Sequence, residues 1–420
     1  MIGVINLKEG SRMAEEKLTN RWLMVVMALV LQLCLGVLYA WSVFRAPMMK
    51  ELGYTVKEAG YPFMASLFFF AVGMIFAGRW QDKAGPRKVA IFGGLLLGVG
   101  AILSGILYKT IGGLVFAYGI LGGLGVGFAY VTPIATCIKW FPDMRGTITG
   151  LAVFGFGAGT LVFGPLINKL ITSVGLSNCF YILGVIFIVA VCGAGSFFKV
   201  PPAGYKPAGW NPPAPAPGVA QKADWSPNEI VGSGQFWILW VIYFFGAAAG
   251  LMIIGQAVPI GLEVAKLDKA VAAGGLGIMA LLNGLGRLAH GSISDKLGRQ
   301  KTVMLCFAEY IIAFVLILPT SDTFLKWLVG ICIVGFAYGG YLALMPSLTA
   351  DYFGTKSLGQ NYGYLFTAWG VAGLGGPYMI DYIKSTTGAF TNAMYAITVA
   401  CVLGLVLCFF SKRPVFKGAA

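Results

Sequence analysis

Asn283, Arg287 and His290 fall at helical spacing inside one apolar run, Gly277–Lys301, GIMALLNGLGRLAHGSISDKLGRQK. Residues four apart stack on one face of a helix, and His290 completes the stripe one turn further on. An arginine at membrane depth costs about 2.5–3.5 kcal/mol on insertion scales, so it is kept for a buried task or partner. The task its planar fork suits is gripping a carboxylate through two parallel hydrogen bonds. Gly277, Gly284 and Gly291 lie about a quarter turn away and permit close helix packing. The competing reading is a guanidinium that snorkels to the membrane edge, but Asp295 lies roughly 12 Å further along the helix. Ligand binding is therefore the expectation for Arg287, and packing near the helix end the expectation for His290.

The whole chain reads as a bilayer protein. Of 420 residues, 58% are hydrophobic and 11% charged, and the mean hydropathy is +0.81. Soluble domains carry roughly 25% charged residues. About 20 apolar residues cross the hydrocarbon core, and twelve such runs lie near 21–44, 59–78, 89–108, 111–135, 147–171, 178–198, 236–260, 271–292, 302–319, 325–348, 362–383 and 392–411. The first twenty residues are polar and show no secretory signal core, so the first span is expected to remain in the mature protein; Met13 is an alternative start. The expected organisation is a tail (1–20), a six-helix bundle (21–198), a linker (199–235), a second six-helix bundle (236–411) and a tail (412–420).

The net charge of +14 is topological. With both ends inside, 20 Lys/Arg fall in inner segments, 9 in outer ones, and Arg287 lies within the membrane. That is the positive-inside pattern of an inner-membrane protein with cytoplasmic termini, and it removes the reason to invoke nucleic acid. The eight cysteines form no C-x-x-C pair and read as apolar fillers. A single histidine excludes H-E-x-x-H, and G-x-S-x-G is absent. An enzyme has no catalytic constellation here, and neither a cofactor nor a metal is expected.

The two bundles repeat. Gly78-Arg-Trp-Gln-Asp82-Lys83-Ala-Gly85 returns 213 residues later as Gly291-Ser-Ile-Ser-Asp295-Lys296-Leu-Gly298. Gly127-Phe-Ala-Tyr130 returns as Gly335-Phe-Ala-Tyr338, and Gly164-Pro165 as Gly376-Pro377. Between the halves, seven of the 19 prolines lie from Pro201 to Pro217, which predicts an extended strap. Duplicated halves with a ligand site between them are a transporter plan.

Over essentially its whole length the sequence resembles the major facilitator superfamily, whose loop signature G-x-x-x-D-[RK]-x-G occurs here twice. That resemblance implies an all-α membrane protein with twelve transmembrane helices in two pseudo-symmetric six-helix halves. Asp82 and Asp295 are expected to bond helix ends in one conformation only, biasing a two-state equilibrium. Lys139-Trp140-Phe141-Pro142-Asp143-Met144-Arg145-Gly146 is similar to the lead-in to span 5 in oxalate/formate antiporters and monocarboxylate transporters. Gln235-Phe236-Trp237-Ile238-Leu239-Trp240 and Gln360-Asn361-Tyr362-Gly363 match the same branch, which carries small organic anions.

The branch implies an anion-binding arginine on helix 8, here Arg287, and a cavity lined by helices 1, 4, 7 and 10. Asn283, Tyr130 and Tyr338 are expected to orient the ligand, with Tyr39, Leu38 and Leu151 shaping the pocket and Tyr118 and Tyr341 as further candidates. Two departures matter. Oxalate-type carriers pair that arginine with a helix 11 lysine, whereas Trp369 stands at the aligned position; one cation suits a monoanion, because a second carboxylate would be buried uncompensated. Monocarboxylate carriers place an aspartate one turn before the arginine, where this chain has the non-titrating Asn283. The proton route is then open among Asp381, Glu309, His290 and a substrate that arrives protonated. Lys384 near the outer end of helix 11 attracts the anion or pairs with Asp381. The expectation is a monomeric symporter of a small monocarboxylate, lactate-like, with H+.

Overall fold

The computed structural model describes residues 20–55, 58–211 and 224–414. Most of both tails and the proline-dense centre of the linker, 212–223, lie outside the described residues. In hydrocarbon every backbone N–H and C=O must be satisfied within the segment, so long apolar runs become helices. Among the described residues, ten segments are long and apolar enough to cross a membrane. One of them is two helices joined at Gly175, whose backbone (φ 82°, ψ 169°) breaks the helical run. Leu358–Thr387, a further helix of 30 residues, packs among them.

The twelve spans are numbered in chain order. α1 runs Arg21–Leu35 and continues through a 3-10 turn into Trp41–Leu52. α2 is Tyr61–Ala84 and α3 Pro86–Leu107. α4 begins at Ile111–Leu114, passes a π-helical stretch at Val115–Gly122 and ends as Gly123–Trp140. α5 covers 145–174 and α6 176–195. The second half holds α7 (Gly234–Glu263), α8 (Lys269–Leu297) and α9 (Arg299–Ile312 with π-helical Ala313–Ile317). It closes with α10 (Phe324–Phe353), α11 and α12 (Phe390–Phe410). Large apolar side chains such as Phe76, Val189, Leu316 and Phe410 are exposed, as a lipid-facing perimeter requires.

The repeat in sequence is a repeat in space. Gly85 and Gly298 close the duplicated loop motif with φ of 85° and 93°, a left-handed backbone that ends α2 and α8 and turns the chain into α3 and α9. The halves meet along two seams, α2 against α11 and α5 against α8, with α10 also touching α5. Both seams close through glycine. A Cβ on Gly78 would lie 2.1 Å from the Gly359 carbonyl oxygen, and one on Gly291 would lie 2.4 Å from that of Gly146.

The linker is pinned at its described ends. The Trp140 indole donates to the Lys199 carbonyl at 2.7 Å, and Tyr205 packs edge-on against the Trp140 ring. Asp224 accepts from the Thr355 and Lys356 amides, both at 2.9 Å. The expected strap contains a short helix, Pro227–Val231, started by a Ser226/Glu229 capping box.

Candidate functional site

α8 places Asn283 and Arg287 on the face turned to α5. Arg287 has no solvent exposure. Its Nε and Nη2 donate to Asn283 Oδ1 at 3.3 and 3.2 Å, and its Nη1 donates to the Val153 carbonyl of α5 at 3.0 Å. Asn283 in turn donates from Nδ2 to the Gly335 carbonyl of α10 at 3.1 Å. The guanidinium is thus held by its own helix, by a second helix of the same half and by the opposite half. Three of its five N–H donors are engaged in these bonds. Gly157 makes the fit possible: a Cβ there would lie 3.1 Å from Arg287 Nε and 3.2 Å from Asn283 Oδ1.

An aromatic box surrounds this charge. Phe156 offers its ring 5.8 Å from the guanidinium carbon, within cation–π range. Tyr130 packs edge-on to Phe70 and Phe156 at 5.0 and 5.2 Å, and Tyr39 packs on Phe156 at 5.1 Å. The phenols of Tyr39, Tyr130, Tyr338 and Tyr362 all lie within electrostatic reach of Arg287. The buried Tyr39 hydroxyl neighbours the Tyr338 phenol. Trp369 forms the wall on α11, stacked on Phe366 at 4.9 Å and tilted against Phe70 at 5.3 Å. Its indole N–H donates to the Tyr338 hydroxyl at 2.8 Å. Where a second cation would enlarge the site's charge, this chain sets a neutral plate that fixes a phenol.

The structure therefore brings together Arg287, Asn283, Tyr130, Tyr338 and Tyr39. It sends other expected residues elsewhere. Tyr341 donates its hydroxyl to the Ile242 carbonyl of α7 and packs on Phe307, facing away from Arg287. Leu38 and Tyr118 line an apolar cavity inside the first half with Phe44 and Phe180, and Tyr118 packs on Trp41. Leu151 is a half-buried core residue of α5. Phe70, Phe156, Phe366 and Tyr362 were not singled out from sequence. Only Phe156 left a signal, as one bulky residue between Gly155 and Gly157.

The remaining ionisable candidates also find partners. His290 is fully buried, with Nδ1 3.1 Å from the Gly286 carbonyl and Nε2 3.2 Å from Glu309. Beyond packing on Phe336, the imidazole is engaged at both nitrogens, and Glu309 points from α9 into the bundle. Lys384 does not pair with Asp381. It bonds Glu263 of α7 and sits 3.7 Å from the Phe390 ring centre, while Asp381 accepts from Gln256 Nε2 at 2.8 Å. Both contacts tie α11 to α7 inside one half.

Asp82 and Asp295 each reach across to the other half. Asp295 accepts from the Gly146 and Thr147 amides at 2.9 and 2.7 Å and from the Thr147 hydroxyl at 2.6 Å, at the start of α5. Asp82 accepts from the Gly359 and Gln360 amides at 3.3 and 2.8 Å, at the start of α11. Free N–H groups and the helix dipole make each of these starts an anion site. Asp351 adds a bridge between Arg145 Nη1 at 2.7 Å and Arg299 Nε at 3.1 Å. The face that bears these loops is latched shut. No comparable packing joins α1 to α7 among the described residues.

Two pseudo-symmetric bundles closed around one desolvated cation fit the plan of a secondary transporter. The comparisons agree. The sequence matches the Major Facilitator Superfamily over residues 22–377 and 291–419. It is 29% identical to the Escherichia coli (strain K12) MFS-type transporter YhjX over 84% of this chain and 86% of that one. It is 31% identical to the oxalate:formate antiporter of Oxalobacter formigenes, covering 91% and 88%. It is 26% identical to monocarboxylate transporter 12 of Rattus norvegicus, covering 81% and 74%. The fold matches the proton:xylose symporter XylE with a TM-score of 0.70 at 13% identity, over 95% of this chain and 97% of that one. The chain belongs to the major facilitator superfamily: it is a multi-pass membrane transporter and not an enzyme.

Proposed function

We propose that the protein carries small monocarboxylates, lactate-like in size, together with a proton by alternating access. One observation carries this reading: Arg287, fully buried, stands in an aromatic box whose α11 wall is Trp369. One guanidinium neutralises one carboxylate through a bidentate contact. A second carboxylate would be left uncompensated in low dielectric, which costs several kcal/mol. The phenols of Tyr39, Tyr130 and Tyr338 then hydrogen-bond the remaining carboxylate oxygen or a hydroxyl on the substrate. Relatives whose names state oxalate:formate exchange and monocarboxylate transport support an organic anion as cargo.

The latched face is proposed to be cytoplasmic in a cell inner membrane, from the 20 to 9 split of basic residues. An anion moved alone out of the external medium would work against the membrane potential by about 2.3 kcal/mol per 100 mV. That favours proton symport. The second reading, exchange of one organic anion for another, draws on the 31% identity to an antiporter. Proteoliposomes separate the two: under an imposed pH gradient and without internal substrate, a symporter accumulates labelled lactate and an exchanger does not. Wild-type uptake rates in Arg287→Ala would remove the assignment of the site.

A further inference from the structure

We propose that His290 and Glu309 together hold the proton that travels with the substrate; this rests on the proton-coupled reading above. Among the described residues, the ionisable groups deep within the spans are Arg287, His290 and Glu309, the other acids lying toward helix ends or loops. His290 Nδ1 lies 3.1 Å from the Gly286 carbonyl, so that nitrogen carries a hydrogen in every protonation state. Nε2 is left facing the Glu309 carboxylate, with both Oε1 and Oε2 at 3.2 Å. A proton placed there sits between nitrogen and oxygen, on either partner. Among the described residues, the buried Oε2 accepts no hydrogen bond from any group but His290.

The surroundings leave the titration to this pair. Cys306 on α9 brings its sulfur within 4.8 Å of the ligating atoms of both partners. Tyr310 on α9, Tyr338 and Tyr341 on α10, Cys401 and Cys408 on α12 and Tyr243 on α7 complete the nearby groups. All are thiols or phenols, neutral in water at pH 7. From 146 to 168, α5 contributes no ionisable side chain. Arg287 is permanently charged.

Charge balance then links proton and substrate. With Glu309 ionised and His290 neutral, the pair carries one negative charge against the single positive charge of Arg287. When a substrate carboxylate docks on Arg287, that compensation is gone, and an uncompensated buried charge costs several kcal/mol. The pair takes up one proton, forming an O–H or N–H bond, and the interior is neutral again. On release, anion and proton leave together.

α10 connects the two places mechanically. It accepts the Asn283 side chain at the Gly335 carbonyl, and a Cβ on its Gly340 would lie 2.2 Å from the His290 ring. Arg287, held by Asn283, and His290, packed closely against Gly340, are thus both in touch with the same helix.

The test uses the full chain in proteoliposomes, with lactate as probe and the variants Glu309→Gln, Glu309→Asp and His290→Gln. Wild type should accumulate lactate under a pH gradient, and its lactate affinity should weaken about tenfold per pH unit on the alkaline side, as one linked proton requires. Glu309→Gln mimics the protonated pair. It should keep lactate counterflow, which shows that it folds, while losing gradient-driven accumulation and the pH slope; Glu309→Asp should restore both in part. Gradient-driven accumulation that survives in Glu309→Gln or His290→Gln overturns the proposal. If wild type moves no monocarboxylate, it is the substrate reading that fails. The pair is then read directly by pH-difference infrared spectra, in which carboxyl and imidazole bands lost in both variants are expected, and bands unchanged by either substitution overturn the proposal.

Discussion

The two seams between the halves are built to one plan and bonded unequally. At each, an aspartate from a duplicated loop caps the first turn of a helix in the other half, above a glycine-to-glycine contact. At the α2–α11 seam, Asp82 has the Gly359 and Gln360 amides and a Lys139 ammonium at 3.6 Å. At the α5–α8 seam, Asp295 has two amides, the Thr147 hydroxyl and Arg299 at 2.6 Å. The same seam carries the Arg145–Asp351 ion pair and a Thr149–Ser347 hydroxyl contact at 2.8 Å. By offset, Asp143 is the first-half partner of Asp351, and it bonds Arg21 within its own half. Duplication supplied both latches; only one was elaborated, and it is the one that borders Arg287. The seam that borders the proposed site is also the one with more bonds across it.

That asymmetry can be attacked at several points. The largest effect is expected at the charge itself. Arg287→Ala should lower lactate uptake by about 100-fold, the loss of roughly 3 kcal/mol that follows when one member of a buried charged contact is removed. Phe156 and Tyr130 substitutions in the first half should cost less, and equal losses would dissolve the claim that one buried charge dominates the site. Next comes Trp369→Lys, which frees the Tyr338 hydroxyl and adds a second cation. A competition assay should then show oxalate displacing lactate, with lactate affinity itself down about tenfold.

The latches follow. Asp295→Ala should raise the population open on the latched face by about tenfold, and Asp82→Ala by about threefold, given roughly 1.5–3 kcal/mol for hydrogen bonds to a charged group and its weaker geometry at Asp82. Spin-label distances across each seam measure this, and a larger shift in Asp82→Ala would reverse the ranking. The smallest effect is set by space. Gly157→Ala puts a methyl group 3.1 Å from Arg287 Nε, so the fork must give by a few tenths of an ångström. The expected result is a lactate KM raised about threefold at nearly unchanged expression, since a slightly misplaced fork loses part of a charged hydrogen bond.

Much of this was legible in the chain. Hydropathy gave the spans, and a repeated eight-residue loop gave the halves, because an intramembrane helix and a left-handed glycine each leave strong local marks. Arg287 stood out for the same reason: its cost in hydrocarbon is visible without coordinates. What sequence could not show is what depends on packing between distant helices. Phe70 and Phe366 are ordinary apolar residues until α2 and α11 bring them together around Tyr130. Tyr341 shares a helix face with Tyr338 by spacing, yet its hydroxyl reaches the Ile242 carbonyl of α7 instead, a contact that only the packing of α10 on α7 decides. Glu309 lies on α9, outside the four helices expected to line the cavity. Its side chain is long enough to reach α8, a matter of rotamer that no spacing rule records.

The bond from Arg287 to the Val153 carbonyl crosses the seam that must part. When α5 withdraws from α8, that acceptor goes with it, and water replaces it on the guanidinium. A hydrated arginine holds a carboxylate less tightly than a dry one. In the proposed mechanism, grip is therefore strongest while the two helices touch and slackens as they separate, so unloading on that side follows from the same displacement that opens the path.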